Sequence, residues 1–261
     1  MFNTIEEGLA AFKSGNPILL IDDESRENEG DIIFPADAAT QEKLNLCATH
    51  AKGLVCIAID SKTAKRLNLS PVASNHMDPF HTAFYDSIDA NPNFGITTGI
   101  SAKDRAITVK SLAENSTKPH DLSRPGHIFP LKARDGGVLR RTGHTEASID
   151  LARLAGFQPA GILVEILNED GTMARLPQLL EVAKKFNLKI ISIEDLIKYR
   201  IANETLIEKV LDVHMPTVFG DFELHAFKDK NSDQDHLALV KGTWSKDESI
   251  LVRVHSSCLT G

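Results

Sequence analysis

The stretch "TEASIDLARLAGFQPAGILVEILNEDGTMARLPQLLEVAKKFNLKIISIEDLIKY", residues 145–199, decides the fold class. It opens with a helical pattern over Thr145–Ala155. Ala147, Leu151, Leu154 and Ala155 fall on one stripe there, and Gly156 stands where a helix C′ glycine belongs. The apolar run Ile162–Leu167 follows as a strand and Asn168–Gly171 as a turn. Pro177–Phe186 then reads as a helix with proline in its first turn, Lys189–Ile193 as a strand, and the segment through Tyr199 as a last helix. Working outward, Ile5 to Phe12 predicts a helix closed by Ser14-Gly15-Asn16-Pro17, and Ile18–Ile21 a buried strand. Gln41–His50 reads as helical and Leu54–Ile59 as a strand, while residues 70–99, rich in Ser, Pro, Asn, Asp and Gly, read mostly as loop. Strands and helices that interleave in this way imply a layered α/β architecture.

Beyond a connector over 201–213 the pattern changes to short strand-like runs, "PTVFGDFELHAF", "DHLALVKG" and "ILVRVHSSCLTG". The segment 214–261 is short for a self-sufficient core, and its end at Leu259-Thr260-Gly261 reads as an interrupted domain. With 42% hydrophobic and 25% charged residues, the 261-residue chain is globular. A net charge of −7 argues against coating nucleic acid or an anionic membrane, though a small anionic substrate stays possible. Cys47, Cys56 and Cys258 form no CxxC pair, which fits a reducing compartment. The start "MFNTIEEGLAAFKSG" does not read as a signal peptide, and no apolar run approaches the roughly 20 residues of a membrane span. The expectation is a cytoplasmic protein.

Four places could carry chemistry. The first is "IDDESRENEGDIIF", residues 21–34, where Asp22, Asp23, Glu24, Glu27, Glu29 and Asp31 crowd around Arg26. Such a run is usually a solvated loop. Here apolar segments tether both ends, and confined carboxylates suit a hard cation such as Mg²⁺. The second is the start of the helix after Gly143. Free N–H groups, the Thr145 hydroxyl and the planar fork of Arg141 could cradle a phosphate, with His144 beside them able to bind a metal. Read alone, this is more often an ordinary capped helix. The third is Glu165 in "GILVEILN": on a solvent face it is unremarked, whereas between two covered faces it becomes a candidate general base with a raised pKa. The fourth is His127, in the proline-rich turn "RPGHIFPL", a structural histidine or an anchored catalytic one. Cys56 reads as a small core residue. Together these features suggest metal-assisted chemistry on a phosphorylated, carbonyl-bearing small molecule.

The motifs "DDESRENEGDIIFPAD", "GITTGISAKDRAIT", "RPGHIFPLKARDGGVLRRTGHTEASIDLARLAG" and "GILVEILNEDGTMAR" resemble 3,4-dihydroxy-2-butanone 4-phosphate synthase over residues 1–200. The runs in 214–261 resemble the start of GTP cyclohydrolase II. The resemblance implies a three-layer αβα sandwich with a mixed sheet, followed by a small, incomplete, mainly β segment. It implies conversion of D-ribulose 5-phosphate to 3,4-dihydroxy-2-butanone 4-phosphate and formate, with Mg²⁺ or Mn²⁺, in a homodimer with sites near its interface. Glu27 and His144 would be metal ligands. Arg26 and Asp31 would contact substrate, Arg141, Gly143 and Thr145 would hold the phosphate, and Glu165 would be the acid–base group, with Asp31, His127 and Cys56 also at the catalytic pocket. The chain departs from the family at "FYDSIDA", where the family reads close to FTVSIDA, so that Tyr85 and Asp86 are unusual. Cys258 matches a first zinc-ligand cysteine without the continuation that supplies the others, and no cyclohydrolase activity is expected. Two other readings stay in view: a metal-dependent sugar-phosphate isomerase or aldolase, and a non-catalytic nucleotide- or RNA-binding module.

Overall fold

Strand β1, Ile18–Ile21, has no polar side to show to water, and in the computed structural model all four of its residues are buried. Residues 2–72, 80, 82–230 and 234–255 are described, in two units, Met1–Glu204 and Thr205–Gly261. In the first unit β1 lies within a seven-stranded sheet. Its other strands are β2 (Gly30–Pro35), β3 (Cys56–Ile59), β4 (Ile88–Ala90), β5 (Leu122–Lys132), β6 (Ala160–Glu165) and β7 (Lys189–Ser192). The order is β4-β5-β3-β6-β2-β1-β7; β1–β7 and β3–β5 are parallel and the remaining neighbours antiparallel.

Both faces of this mixed sheet are covered, which is why its central strands read as continuous apolar runs. One face packs Ile18, Leu20, Ile33 and Leu163 against α1 (Ile5–Lys13), α5 (His144–Leu154) and α7 (Ile193–Asn203) through Phe12, Leu151 and Leu196. The other packs Leu19, Ile32, Ile162 and Val164 against α2 (Gln41–Leu46), α3 (Ser61–Arg66), α4 (Ala102–Ala113) and α6 (Leu176–Phe186) through Leu44, Ala64, Val109 and Leu179. The result is the three-layer αβα sandwich. Helix ends follow local chemistry: Thr4 and Glu7 form a capping box on α1, Ser101 caps α4, Ser192 caps α7, and Gly156 adopts φ +84° after α5.

Several local expectations are corrected. His127 lies in the long strand β5, not in a turn. Within residues 70–99 the structure places strand β4 and a 3₁₀ turn, Pro92–Phe94, while residues 73–79 and 81 lie outside the described residues. Gly137–Leu139 form a 3₁₀ turn ahead of α5, in which Gly137 has φ +65° and leaves no room for a Cβ beside the Asp150 carboxylate. The predicted helix Gln41–His50 loosens after Leu46 into a π-helical turn, Cys47–Ala51.

The second unit is an antiparallel meander of β8 (Ile207–Thr217), β9 (Gly220–Asp229) and β10 (Asp235–Val240), in the order β10-β9-β8. The stretch 201–213 holds the end of α7 and the start of β8, with residues 204–206 between them. Cys258 lies outside the described residues. No helix among the described residues is long and apolar enough to cross a membrane.

Candidate active site

The acidic loop is the connection of a β-hairpin. Ile21 pairs with Gly30, and the Asp22 N–H donates to the Glu29 carbonyl at 3.3 Å. Five acids crowd this short loop, and one of them, Asp22, gathers the loop's donors. Its buried carboxylate accepts from Arg26 Nη1 at 2.9 Å, the Glu27 N–H at 3.0 Å and the Glu29 N–H at 2.8 Å. One carboxylate is thus used to fold the loop around it. The side chain of Glu27 is left beside Arg26, 2.6 Å from Nη1, and beside His144.

His144 is the first residue of α5, and Gly143 is the N-cap, contributing no side-chain hydrogen bond. A Cβ on Gly143 would fall 2.2 Å from Arg141 Nη1 and 2.8 Å from Glu146 Oε2. Glycine here therefore makes room for the Arg141–Glu146 pair, whose Nη1···Oε2 distance is 2.6 Å. Arg141 also donates from Nε to the Phe80 carbonyl and from Nη2 to the Thr82 hydroxyl, both at 2.9 Å. The expected phosphate grip is thus already a cross-linked group, fixed in place before any ligand arrives.

Glu165 ends β6 directly opposite Asp31 on β2. Two carboxylates in one cross-strand pair repel unless protons or cations intervene. Burial, with Glu165, Glu29 and Glu27 nearby, pushes Asp31 up to about 7, and burial also raises Glu165. Glu165 is half-buried, at the end of a strand whose other residues are all buried. Its Oε2 accepts from the Leu54 N–H at 2.9 Å, and a Cβ on Gly53 would fall 2.3 Å from the Glu165 carbonyl oxygen. The π-helical turn before Gly53 thus delivers a bare backbone against Glu165 and holds its carboxylate.

These elements enclose a cavity of about 130 Å³ lined by Arg26, Glu27, Glu29, Asp31, Arg141, His144, Thr145 and Glu165, with Thr82, Phe84, Leu131 and Leu163. His127 and Cys56 do not line it. The ring of His127 is held by Asp89, Nδ1 to Oδ2 at 2.6 Å. Cys56 is the cross-strand neighbour of the lining residue Leu163, and burial pushes its thiol up. Four contributors do not stand out in the sequence. Asp22 looked like one acid among six, and Glu146 looked like an acid in a first helical turn. Thr82 and Phe84 lie in a stretch without periodicity.

The donor set fits a divalent cation. Asp22, Glu27 and His144 each offer one atom within 4.8 Å of the others. His144 Nδ1 stands 3.6 Å from Glu27 Oε2, and Nε2 stands 3.9 Å from Asp31 Oδ1. The latter two atoms are buried and have no hydrogen-bond partner. They are too far apart to bond directly, but spaced as two groups that share an ion or a water. Burial opposes a charge on His144, yet Asp31, Glu27 and Asp22 outweigh it and raise the imidazolium to about 9. A histidine binds metal only when neutral, so a cation at His144 must displace this proton. The expected outcome is a Mn²⁺ affinity that rises about tenfold between pH 7 and pH 8, with proton release in a weakly buffered titration. A pH-independent affinity would remove His144 from the ligand set.

Comparison with known proteins gives the chain a family. Residues 6–199 match the model of 3,4-dihydroxy-2-butanone 4-phosphate synthase, which is most of the chain. The chain belongs to that family. Residues 208–261 match GTP cyclohydrolase II, so the synthase portion is followed by a cyclohydrolase II fragment. The riboflavin biosynthesis proteins RibBA of Aquifex aeolicus and Cytophaga hutchinsonii are each 52% identical, over 260 and 259 residues. The chain spans 64% of the length of either relative. Among solved structures, the two-domain synthase RibBX of A. baumannii is 44% identical with a TM-score of 0.82, covering 92% of this chain and 70% of that one. A 3,4-dihydroxy-2-butanone 4-phosphate synthase in complex with two magnesium ions is 37% identical with a TM-score of 0.74, covering 77% of this chain and 98% of that one.

Proposed function

We propose that this synthase-family chain acts in riboflavin biosynthesis, converting D-ribulose 5-phosphate to 3,4-dihydroxy-2-butanone 4-phosphate and formate. The observation that carries this reading is the convergence of Glu27, Asp31, His144 and Glu165 on one cavity at the start of α5. The two products together hold every atom of the substrate, so the reaction needs no external oxidant or reductant.

The phosphate would sit at the first turn of α5, taking backbone N–H groups, the Thr145 hydroxyl and N–H groups of Arg141 that Glu146, Thr82 and Phe80 do not use. Arg26, anchored to Asp22, would fix the sugar's hydroxyls from the loop side. The facing carboxylates Asp31 and Glu165 share the proton work. With both held above the ordinary carboxylate range, one can accept the proton from C3 while the other keeps one to give. That pair serves loss of the C1 hydroxyl as water, the carbon-skeleton shift, the return of water and the departure of C4 as formate. Glu27 and His144 would hold Mg²⁺ or Mn²⁺, which when bound would supply positive charge for the oxyanion that develops on the substrate. Closure of the acidic loop over the cavity excludes solvent while reactive species persist. The chain works as a homodimer with its sites near the interface, a reading supported by the exposed apolar residues Leu54, Phe80 and Phe84 around the cavity.

The direct test is formate release from ribulose 5-phosphate by the purified chain. Formate should appear in step with sugar loss, stop with EDTA and return with Mg²⁺. Isomerised sugar phosphate without formate would favour the isomerase reading and overturn this one.

A further inference from the structure

The acidic loop carries the proposed cation ligand Glu27, yet its internal bonds tie it mainly to itself. One link from outside the loop is made to its backbone, by Arg175. From the N-cap of α6, Arg175 Nη1 donates to the Glu27 carbonyl at 2.9 Å and to the neighbouring Asn28 carbonyl. Asn28 stands at φ +55°, the left-handed conformation in which the chain reverses toward β2. Both carbonyls thus meet one nitrogen at the point of reversal. The guanidinium's own base is firm, because the Arg175 N–H donates to Gln178 Oε1 at 3.2 Å within the start of α6. The segment that carries Arg175 also follows the strand that ends at Glu165.

We infer that Arg175 is a positioning residue, a latch that holds the Glu27–Asn28 peptide so that the Glu27 carboxylate faces His144. This deepens the reading above, since it concerns the same cation site. Its chemistry suits arginine and not lysine: two carbonyls are served from a planar group at fixed geometry, while an ammonium must reach them on a flexible stem. Without the latch, two acceptors lose their donor and the loop's like charges are freer to spread it into solvent. Partners one step removed from a metal ligand typically change affinity by about 10–100-fold when removed.

The experiment compares wild type, Arg175→Lys and Arg175→Ala on the full chain in two ways. Mn²⁺ binding is followed by electron paramagnetic resonance without substrate, and amide hydrogen exchange is followed in a peptide covering residues 22–29 without metal. Arg175→Ala should weaken Mn²⁺ binding at least about tenfold and speed exchange in that peptide, with the peptides of β6 and α5 unchanged. Arg175→Lys should fall between, and it carries the test if the alanine variant does not fold. Wild-type affinity together with wild-type loop exchange in the folded variants would overturn the latch. The exchange comparison decides the latch even if wild type binds no Mn²⁺, a result that would count against the proposed metal site instead.

Discussion

Replacing Glu165 with Gln is expected to lower formate release from ribulose 5-phosphate by about 10²–10⁴-fold, the span typical of losing a positioned acid–base group. Glutamine keeps the shape of the side chain and an oxygen able to accept from the Leu54 N–H, so the anchor seen at 2.9 Å survives. What disappears is the ability to take and return a proton. The cross-strand partner cannot substitute alone. Asp31 is buried with one oxygen unpartnered, and it is raised by burial and by Glu165 itself, so removing the Glu165 charge changes the proton affinity of its neighbour too. The stability outcome separates chemistry from folding. Two facing carboxylates are a local liability, so the thermal midpoint should hold or rise slightly. A folded Glu165→Gln variant with activity within a few-fold of wild type would reject Glu165 as the proton-transfer group.

How much of this was legible in the sequence depends on where the information sits. Helices α1, α5 and α6 carry apolar stripes between recognisable start and stop residues, strand β1 is an unbroken apolar run and β6 and β7 have apolar centres, so pattern alone locates these to within a residue or two, whereas α7, read through Tyr199, continues to Asn203. Helix α4 eludes the same reading because its buried face includes Asp104, Thr108 and Ser111 beside Val109 and Leu112, which blurs the stripe. Strand β5 contains Pro125 and has an irregular succession of buried and exposed residues, so it looks like a turn around His127. For the site, the acidic loop and the Gly143–Thr145 helix start announce themselves by composition. Their meeting with Glu165 does not. The Asp31–Glu165 pair depends on the register between β2 and β6, strands separated by more than a hundred residues, and local spacing carries no record of that. The family resemblance, and not spacing, implies that Glu27, His144 and Glu165 share one site. It did not point to Asp22, Glu146 or Arg175, which act through hydrogen bonds to backbone or to other side chains.

Glu27→Ala tests the other half of the chemistry, and its effect should be as large. Among the acids near His144, Asp22 is already committed to Arg26 and to the N–H groups of Glu27 and Glu29, and Asp31 faces the opposite ring nitrogen at 3.9 Å. Neither can move into the place of Glu27 without giving up the bonds that fold the loop or crossing the imidazole. Loss of Glu27 should therefore weaken Mn²⁺ binding by about 100-fold and reduce turnover by about 10³-fold, the scale of losing an electrostatic stabiliser from a water-poor site. The backbone N–H groups of Glu27 and Glu29 still reach Asp22, so the loop should keep its shape and the chain its thermal midpoint within a few degrees. In the proposed function the sugar phosphate is held by the start of α5 and by Arg141, which the substitution leaves alone, so calorimetric titration with ribulose 5-phosphate should give nearly the wild-type affinity. Binding retained with turnover lost is the signature of a group that acts on the developing charge and not on the ground state. If Glu27→Ala instead turns over substrate at the wild-type rate, the cation is held elsewhere, and the crowding of carboxylates around His144 needs a different reason.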